Sequence, residues 1–389
     1  MVDLKKEKEK VRSIVSVIRM FAIVSLFLTG CGVTQEKSET VKETCSKVET
    51  AVETTAEPAT QSTIEATPES SGLSHTLFAM DTVITMDVYD GQKETATDQS
   101  EMLIRHLEDL WSATKEGSEI YELNHSPGKP VTVSEETKNL ISFTLGIADE
   151  TDGALNPAIY PLVQAWGFPT RNYRIPDPDE ISELLKYMDC KSIAIEDGIA
   201  TTVTLPEGME VDFGAVAKGY TGDLLTETMK EQGVTSAMIN LGGNVDLVGN
   251  SPDGDPWKVG IRSPYGEGTI GTLLASDCHV ITSGGYERYF TGDDGTIYWH
   301  ILDPKSGYPA DSGIISATIV GKEGKLCDAL STAVFVMGLA RAEKYWKSAG
   351  DFEMILVTEN NEIYLTEGLE ETFIPGELSQ GIPIHIIKK

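Results

Sequence analysis

Apolar and polar positions change period several times along this chain, and each change marks an element. Residues 76–89 alternate and predict a strand. From 95 to 111 the positions Met102, Leu103, His106, Leu107, Leu110 and Trp111 gather on one side of an amphipathic helix. A second helix is predicted over 134–150, with Ser134 or Thr132 as its cap and Glu135 and Glu136 in the first turn. Residues 191–204 read strand, Asp197-Gly198, strand, the signal of a type I′ hairpin. A glycine-containing loop from Val211 then feeds a helical pattern that ends at Gln232. Residues 236–249 read strand, glycine turn, strand, and 257–261 add another strand. The stretch 281–309 reads as two strands joined by Gly292-Asp293-Asp294-Gly295, then a loop. An apolar strand over 313–320, a helix over 325–338 and a hairpin of 352–357 with 361–366 complete the pattern, and no internal repeat interrupts it. Many short strands with about four helices predict an α+β fold of mixed, largely antiparallel sheets with flanking helices.

The first 74 residues follow a different pattern. Lys5, Lys6, Lys8, Lys10, Arg12 and Arg19 precede the apolar run 20–28, which is too short for a bilayer span of about 20 residues. The run ends in Leu28-Thr29-Gly30-Cys31, which resembles a bacterial lipobox, and a polar tail follows. Residues 1–30 are therefore expected to be a lipoprotein signal peptide and Cys31 the lipidated N-terminus. The acyl chains would place the protein outside the cytoplasm, anchored to the cytoplasmic membrane. Residues 31–74 are Thr/Ser/Glu-rich, too poor in apolar groups to offset the entropy of ordering, and read as a disordered tether. The folded domain is expected over 75–389.

Charge narrows the function. The chain of 389 residues carries a formal net charge of −30, and residues 1–30 contribute six basic and three acidic side chains, which leaves −33 for the rest. Such a body does not suit nucleic acid, which requires basic patches. An anionic substrate would have to be met by a metal ion or by local backbone N–H groups. The five cysteines are scattered without metal-ligand spacing or a disulfide framework.

Three stretches carry candidate chemistry. Asp328 and Thr332 are four residues apart and share a helix face, and with a nearby carbonyl they would form an all-oxygen set suited to Mg²⁺. Asp212-Phe213-Gly214-Ala215 leads into a helix N-terminus at Lys218-Gly219-Tyr220, where free N–H groups and the dipole favour a phosphate. Within 281–309, Thr282-Ser283-Gly284-Gly285 offers hydroxyls and glycines that let the backbone approach a ligand, and His300 and Asp303 lie in one loop farther on. Together these parts suit phosphoryl transfer from a pyrophosphate. The residues alone specify neither the nucleotide nor the acceptor.

The motifs resemble those of the ApbE family of FAD:protein FMN transferases, and the resemblance runs from about residue 76 to 340. Thr282-Ser283-Gly284-Gly285-Tyr286-Glu287-Arg288 and His300-Ile301-Leu302-Asp303-Pro304, with Gly307 and Pro309, follow the family pattern, while Gly285 and Trp299 depart from it. Met80-Asp81-Thr82, the run from Ser118 to Asn124, Asp152-Gly153-Ala154-Leu155, Trp166-Gly167-Phe168, Asp212 to Tyr220, Gly242-Gly243-Asn244 and Asp328 to Ala333 also match. Thr114 stands where many members carry an aromatic, Asn156 replaces the usual Asp, and Cys327 replaces an alanine.

The resemblance implies an ApbE-like fold with an FAD cleft between sheet and helices. It implies FAD contacts from Met80, Thr114, Ala154, Leu155, Asn156, Asp212, Lys218 and Leu302. It implies Mg²⁺ held by Asp328, Thr332 and the Ala215 carbonyl, with Ser331 adjacent. FAD would be the substrate, AMP would leave, and FMN would join a Thr or Ser hydroxyl of an acceptor protein with an FMN-binding domain. His300 is the first candidate for acid–base work or phosphate contact, Asp303 would orient it or hold the loop, and Asp328 would share in activating the hydroxyl. Two alternatives stand beside this: hydrolysis of FAD to FMN and AMP, and a non-enzymatic lipoprotein that binds flavin or another solute.

Overall fold

A computed structural model of the chain describes residues 72–389 apart from residue 294. The expected signal peptide, the lipidated Cys31 and nearly all of the expected tether lie outside the described residues. Among those described, no helix is long and apolar enough to cross a membrane.

The architecture is built on one nine-stranded sheet whose spatial order follows chain order: β1 (Leu73–Ala79), β2 (Thr82–Val88), β3 (Ser236–Leu241), β4 (Asn244–Gly249), β5 (His279–Gly284), β6 (Ile314–Gly321), β7 (Phe352–Thr358), β8 (Ile363–Thr366) and β9 (Ile384–Ile387). Every neighbouring pair is antiparallel except β8 with β9. The functional stretches are insertions into this meander. The long excursion between β2 and β3 holds helices α1 (Lys93–Trp111), α2 (Glu135–Glu150) and α3 (Ala217–Glu231), and the excursion between β6 and β7 holds α4 (Gly324–Met337) and α5 (Leu339–Ala349).

Both faces of the sheet are covered, which explains why its inner strands read as nearly continuous apolar runs. On one face α4 lies on β5 and β6, α3 on β4, and α1 on α3. Ala237, Ile239 and Leu241 of β3 and Met354 and Leu356 of β7 point to that helical side. The alternate residues Met238, Val280, Ile355 and Val357 face a second layer, where Trp257–Arg262 and Thr269–Ala275 form a small sheet with Phe373–Pro375. The sequence pattern places helices as the flanking layer; the structure covers the second face with strands instead.

Several local expectations are corrected. Residues 76–89 are two strands rather than one, because Met80 and Asp81 form a two-residue turn with φ of +51° and +59° between the paired Ala79 and Thr82. Neither residue is the Asn or Gly that announces such a turn, and the left-handed conformation of a Met costs about 1–2 kcal/mol. Asp197-Gly198 is not a type I′ turn: the register Glu196↔Thr202 leaves a five-residue loop. On α1 the core takes Ile104, Leu107 and Trp111, while Met102 is exposed. The last 25 residues add β9 and a strand of the smaller sheet. Ser134 caps α2 by accepting from the Thr137 N–H, and Gly242-Gly243 turns β3 into β4 with both φ positive.

Candidate active site

The site is organised where the N-termini of α3 and α4 meet. Neither helix has a side-chain cap of its own: Val216 precedes α3, Glu323 precedes α4, and neither side chain accepts an N–H. The first N–H groups of a helix have no partner within it. The Gly219 N–H, in the first turn of α3, donates to Asp328 Oδ2 of α4 at 2.8 Å. Asp328 is 4% exposed. This clasp requires a glycine, since a Cβ at 219 would lie 2.5 Å from the Asp328 Cβ and still closer to the Gly324 carbonyl.

Hydroxyls stand beside Asp328 on α4, and a carbonyl precedes the α3 cap. Ala215 precedes the cap residue, so its carbonyl lies outside the helical ladder, which starts with the Tyr220 N–H on the Val216 carbonyl. Thr332 lies one turn beyond Asp328 on α4, and its hydroxyl is 3.3 Å from Ser283 Oγ on β5. Ser331 is fully buried and engaged twice, donating to the Asp328 carbonyl at 2.8 Å and lying 2.7 Å from Ser283 Oγ. It therefore sits behind Asp328 and Thr332 and holds β5 to α4. Among the described residues no group of three or more His, Cys, Asp or Glu is arranged around a metal; the oxygens here are one carboxylate, hydroxyls and a carbonyl.

A second cluster adjoins through the loop 212–218. Asp212 is tied to the loop before it, its N–H donating to the Pro157 carbonyl at 2.9 Å and its Oδ1 accepting from Gly214. Burial pushes its carboxyl above the usual range, and the Gly214 N–H, Lys218 and Arg288 offset only part of that. Lys218 reaches back to the Gly214 carbonyl at 3.3 Å. A cation in the first turn opposes the helix dipole, so its place here is best understood with an anion between the two. Arg288, on the far side, donates to Asp81 at 3.0 Å.

His300 completes this cluster. Its backbone N–H and its Nδ1 both address the Arg288 carbonyl, at 3.0 and 3.2 Å. The carbonyl only accepts, so the proton sits on Nδ1 and Nε2 carries the free lone pair. Burial, then the charge of Arg288, pulls its pKa down to about 4.

Lys218 bears on both Asp212 and His300, Asp328, Ser331 and Thr332 gather on α4 against Ser283, and Ala215 lies two residues before α3. Met80 approaches from the β1–β2 turn, with its sulfur 3.7 Å from the Thr221 hydroxyl on α3. Asp303 makes no contact with His300 in its hydrogen bonding; its Oδ1 accepts from the Lys305 N–H and holds the turn that Gly307 closes. Asn156 caps the short helical turn after it, accepting from Ala158 N–H, and donates to the Met188 carbonyl. Ala154 and Leu155 are buried in the core, and Leu302 packs with Trp166 and Phe168. Thr114 is exposed in the turn after α1, 3.3 Å from Ser112 Oγ. Arg288 was not singled out from the sequence. The signal was its place within Tyr286-Glu287-Arg288, which is indistinguishable from a surface arginine until the Asp81 turn and the His300 loop fold against it.

The model of the ApbE family matches residues 80–356. An FAD:protein FMN transferase of Klebsiella pneumoniae (strain 342) is 32% identical over 305 residues, covering 78% of this chain and 94% of that protein. One of Treponema pallidum (strain Nichols) is 35% identical over 257 residues, covering 62% of this chain and 70% of that one. Among solved structures, an ApbE protein from Thermotoga maritima superposes with a TM-score of 0.73 at 31% identity over 77% of this chain and 99% of its own. The apo form of the flavinyl transferase ApbE from Pseudomonas stutzeri gives 0.70 at 26% identity, over 78% and 98%.

Proposed function

This chain belongs to the ApbE family, and on that premise we propose that it moves FMN from FAD to a Thr or Ser hydroxyl of an acceptor protein with the help of Mg²⁺. It is a flavin transferase that uses FAD as its substrate. The metal, the acceptor bearing an FMN-binding domain and the lipid anchor at Cys31 on the outer face of the cytoplasmic membrane belong to the proposal. The observation that carries the metal-assisted reading is the Gly219–Asp328 clasp, which sets a carboxylate at the α3 N-terminus.

The donor set fits Mg²⁺. Asp328, Thr332 and the Ala215 carbonyl are hard oxygen ligands, and few carboxylates suffice for an ion that keeps waters and binds substrate phosphates. When bound there, Mg²⁺ would supply Lewis-acid stabilisation to charge on phosphate oxygens. The chain's own part is positioning and charge. Lys218 and Arg288 receive the pyrophosphate within an otherwise acidic protein, since the Gly219 N–H of α3 is already taken by Asp328. His300 offers Nε2 to the acceptor hydroxyl, and the negative charge of the bound pyrophosphate raises its basicity above that of the free enzyme. As the hydroxyl oxygen bonds to the FMN phosphorus, the proton passes to His300, the P–O bond to AMP breaks, and AMP leaves with the electron pair.

The test is intact-mass analysis of an FMN-binding-domain protein incubated with the full-length chain, FAD and Mg²⁺. A covalent FMN adduct that EDTA abolishes is expected. Free FMN and AMP without an adduct would replace the transferase by a hydrolase, and no cleavage of FAD would leave a binding protein.

The His300 environment gives a pH prediction. Its folded pKa is depressed from the ordinary 6.5 to about 4, so its stabilising effect is present above pH 6.5 and is lost as the pH falls toward 4. The acidic limb of kcat/KM for FAD, which reports free-enzyme groups, should accordingly contain no His300 step near 6.5 and should fall only near pH 4. A limb at 6.5 that His300→Gln removes would contradict the assignment.

A further inference from the structure

Behind Asp328 lies a group of buried charges that the chemistry above leaves unused. His279 opens β5 and is 5% exposed. Its Nδ1 is 2.6 Å from Asp246 Oδ1 on β4, and its Nε2 is 3.3 Å from Asp223 Oδ1 on α3. Both partners are carboxylates, so each ring nitrogen finds an acceptor and the imidazole is suited to hold both protons. Burial pulls the His279 pKa down, but the hydrogen bond and charge of Asp246 and the charge of Asp223 outweigh it and leave it raised. Asp246 is 0% exposed, and Gly222 of α3 makes room for it: a Cβ there would lie 2.5 Å from Asp246 Oδ2.

Asp223 does a second thing. Its two oxygens accept from the Gly324 and Lys325 N–H groups at 2.5 and 3.0 Å, the first donors of α4. The two helices therefore cap each other. Asp328 of α4 caps α3 at Gly219, and Asp223 of α3, one turn beyond Gly219, caps α4 at Gly324, one turn before Asp328. The same strand that supplies His279 supplies Ser283, four residues on and on the same face, to Ser331 and Thr332. Each end of the α4 segment that bears Asp328 is thus tied to β5.

We infer that the Asp246–His279–Asp223 bridge is the positioning device of the metal site, fixing the first turn of α4 against α3 so that Asp328 stays seated at the Gly219 N–H. His279 and Asp223 are positioning residues, since they act through Asp328 and touch no reacting atom. The inference rests on the reading of Asp328 as a metal ligand, and the experiment separates the two.

Mn²⁺ affinity of the full-length protein is measured by electron paramagnetic resonance, without FAD, for wild type, Asp328→Ala, His279→Gln and Asp223→Asn. The Mg²⁺ half-saturation and the KM for FAD are measured alongside. His279→Gln and Asp223→Asn should each weaken Mn²⁺ binding about 10- to 100-fold, as loss of a supporting partner does at metal sites, and raise the Mg²⁺ half-saturation in step. The KM for FAD at saturating Mg²⁺ should stay within about twofold. Wild-type Mn²⁺ affinity in either folded variant, with a lowered melting temperature alone, would reduce the bridge to a structural role and overturn the inference. Unchanged affinity in Asp328→Ala would instead remove the metal reading on which it stands. Should His279→Gln not fold, Asp223→Asn, which keeps the shape of the cap, decides the matter alone.

Discussion

Asp328→Ala should abolish FMN transfer, lowering the rate by about three to four orders of magnitude while the protein stays folded. The substitution removes the one carboxylate of the oxygen set beside the α3 N-terminus. A bound divalent ion contributes several kcal/mol of stabilisation to developing phosphate charge, and each 1.36 kcal/mol is a factor of ten. It also strands the Gly219 N–H, which accounts for about 1–3 kcal/mol of stability. Asp328→Asn separates these effects. Its amide oxygen still accepts from Gly219, so the melting temperature should stay near that of wild type, yet the ligand charge is gone and transfer should be almost as slow as in the alanine variant. Adduct mass and AMP release measure both. Transfer within tenfold of wild type in either variant would exclude Asp328 from the chemistry.

The elements of the sheet and its helices were largely legible because their patterns are local. Ala237, Ile239 and Leu241 face the helices while Met238 faces the smaller sheet, and such two-sided burial leaves apolar runs that end at glycine turns. What was not legible depends on backbone conformation that side chains do not announce. Met80 and Asp81 turn the chain at φ of +51° and +59° without Gly or Asn. Their strain is tolerated because Glu108 accepts the Met80 N–H at 2.6 Å and Arg288 pairs with Asp81. Similarly, Ile384–Ile387 becomes a strand through its parallel pairing with β8, a contact with no local signal.

At the site, the spacing of Asp328 and Thr332 and the glycine loop before α3 could be read directly, since both are properties of one helix or its start. The relation between the two helices could not. That α3 lacks a cap and receives one from Asp328 is visible only once Gly219 is seen against Gly324. Of the two roles expected of Asp303, orienting His300 or holding the loop, its hydrogen bonding fits the second. Proximity in sequence suggested a pair, but Asp303 spends its acceptor on the next N–H but one, as Asp residues in turns commonly do. The Arg288 carbonyl, twelve residues before His300, takes the imidazole instead.

Gly219→Ala should both destabilise the fold and disable the site. Alanine normally improves a helix, by about 1 kcal/mol over glycine. Here the new Cβ would lie 2.5 Å from the Asp328 Cβ and nearer still to the Gly324 carbonyl. One of these is backbone, and the α4 segment that carries both is held at its start by Asp223 and farther on by Ser283. It cannot withdraw without breaking those ties. Overpacking of this kind costs about 1–3 kcal/mol or more, so stability should fall despite the gain in propensity. Whatever relief the structure finds moves Asp328 away from α3, and a displacement of about 1 Å at a catalytic group costs about 10²-fold in rate. Gly146→Ala is the contrasting case. It lies within α2, where a Cβ would meet nothing within 4 Å. That variant should gain about 0.5–1 kcal/mol and keep full transfer activity. Thermal melts and adduct mass on the pair decide the matter: equal melting shifts would mean that α3 and α4 can part, and that the clasp on Asp328 does not constrain the site.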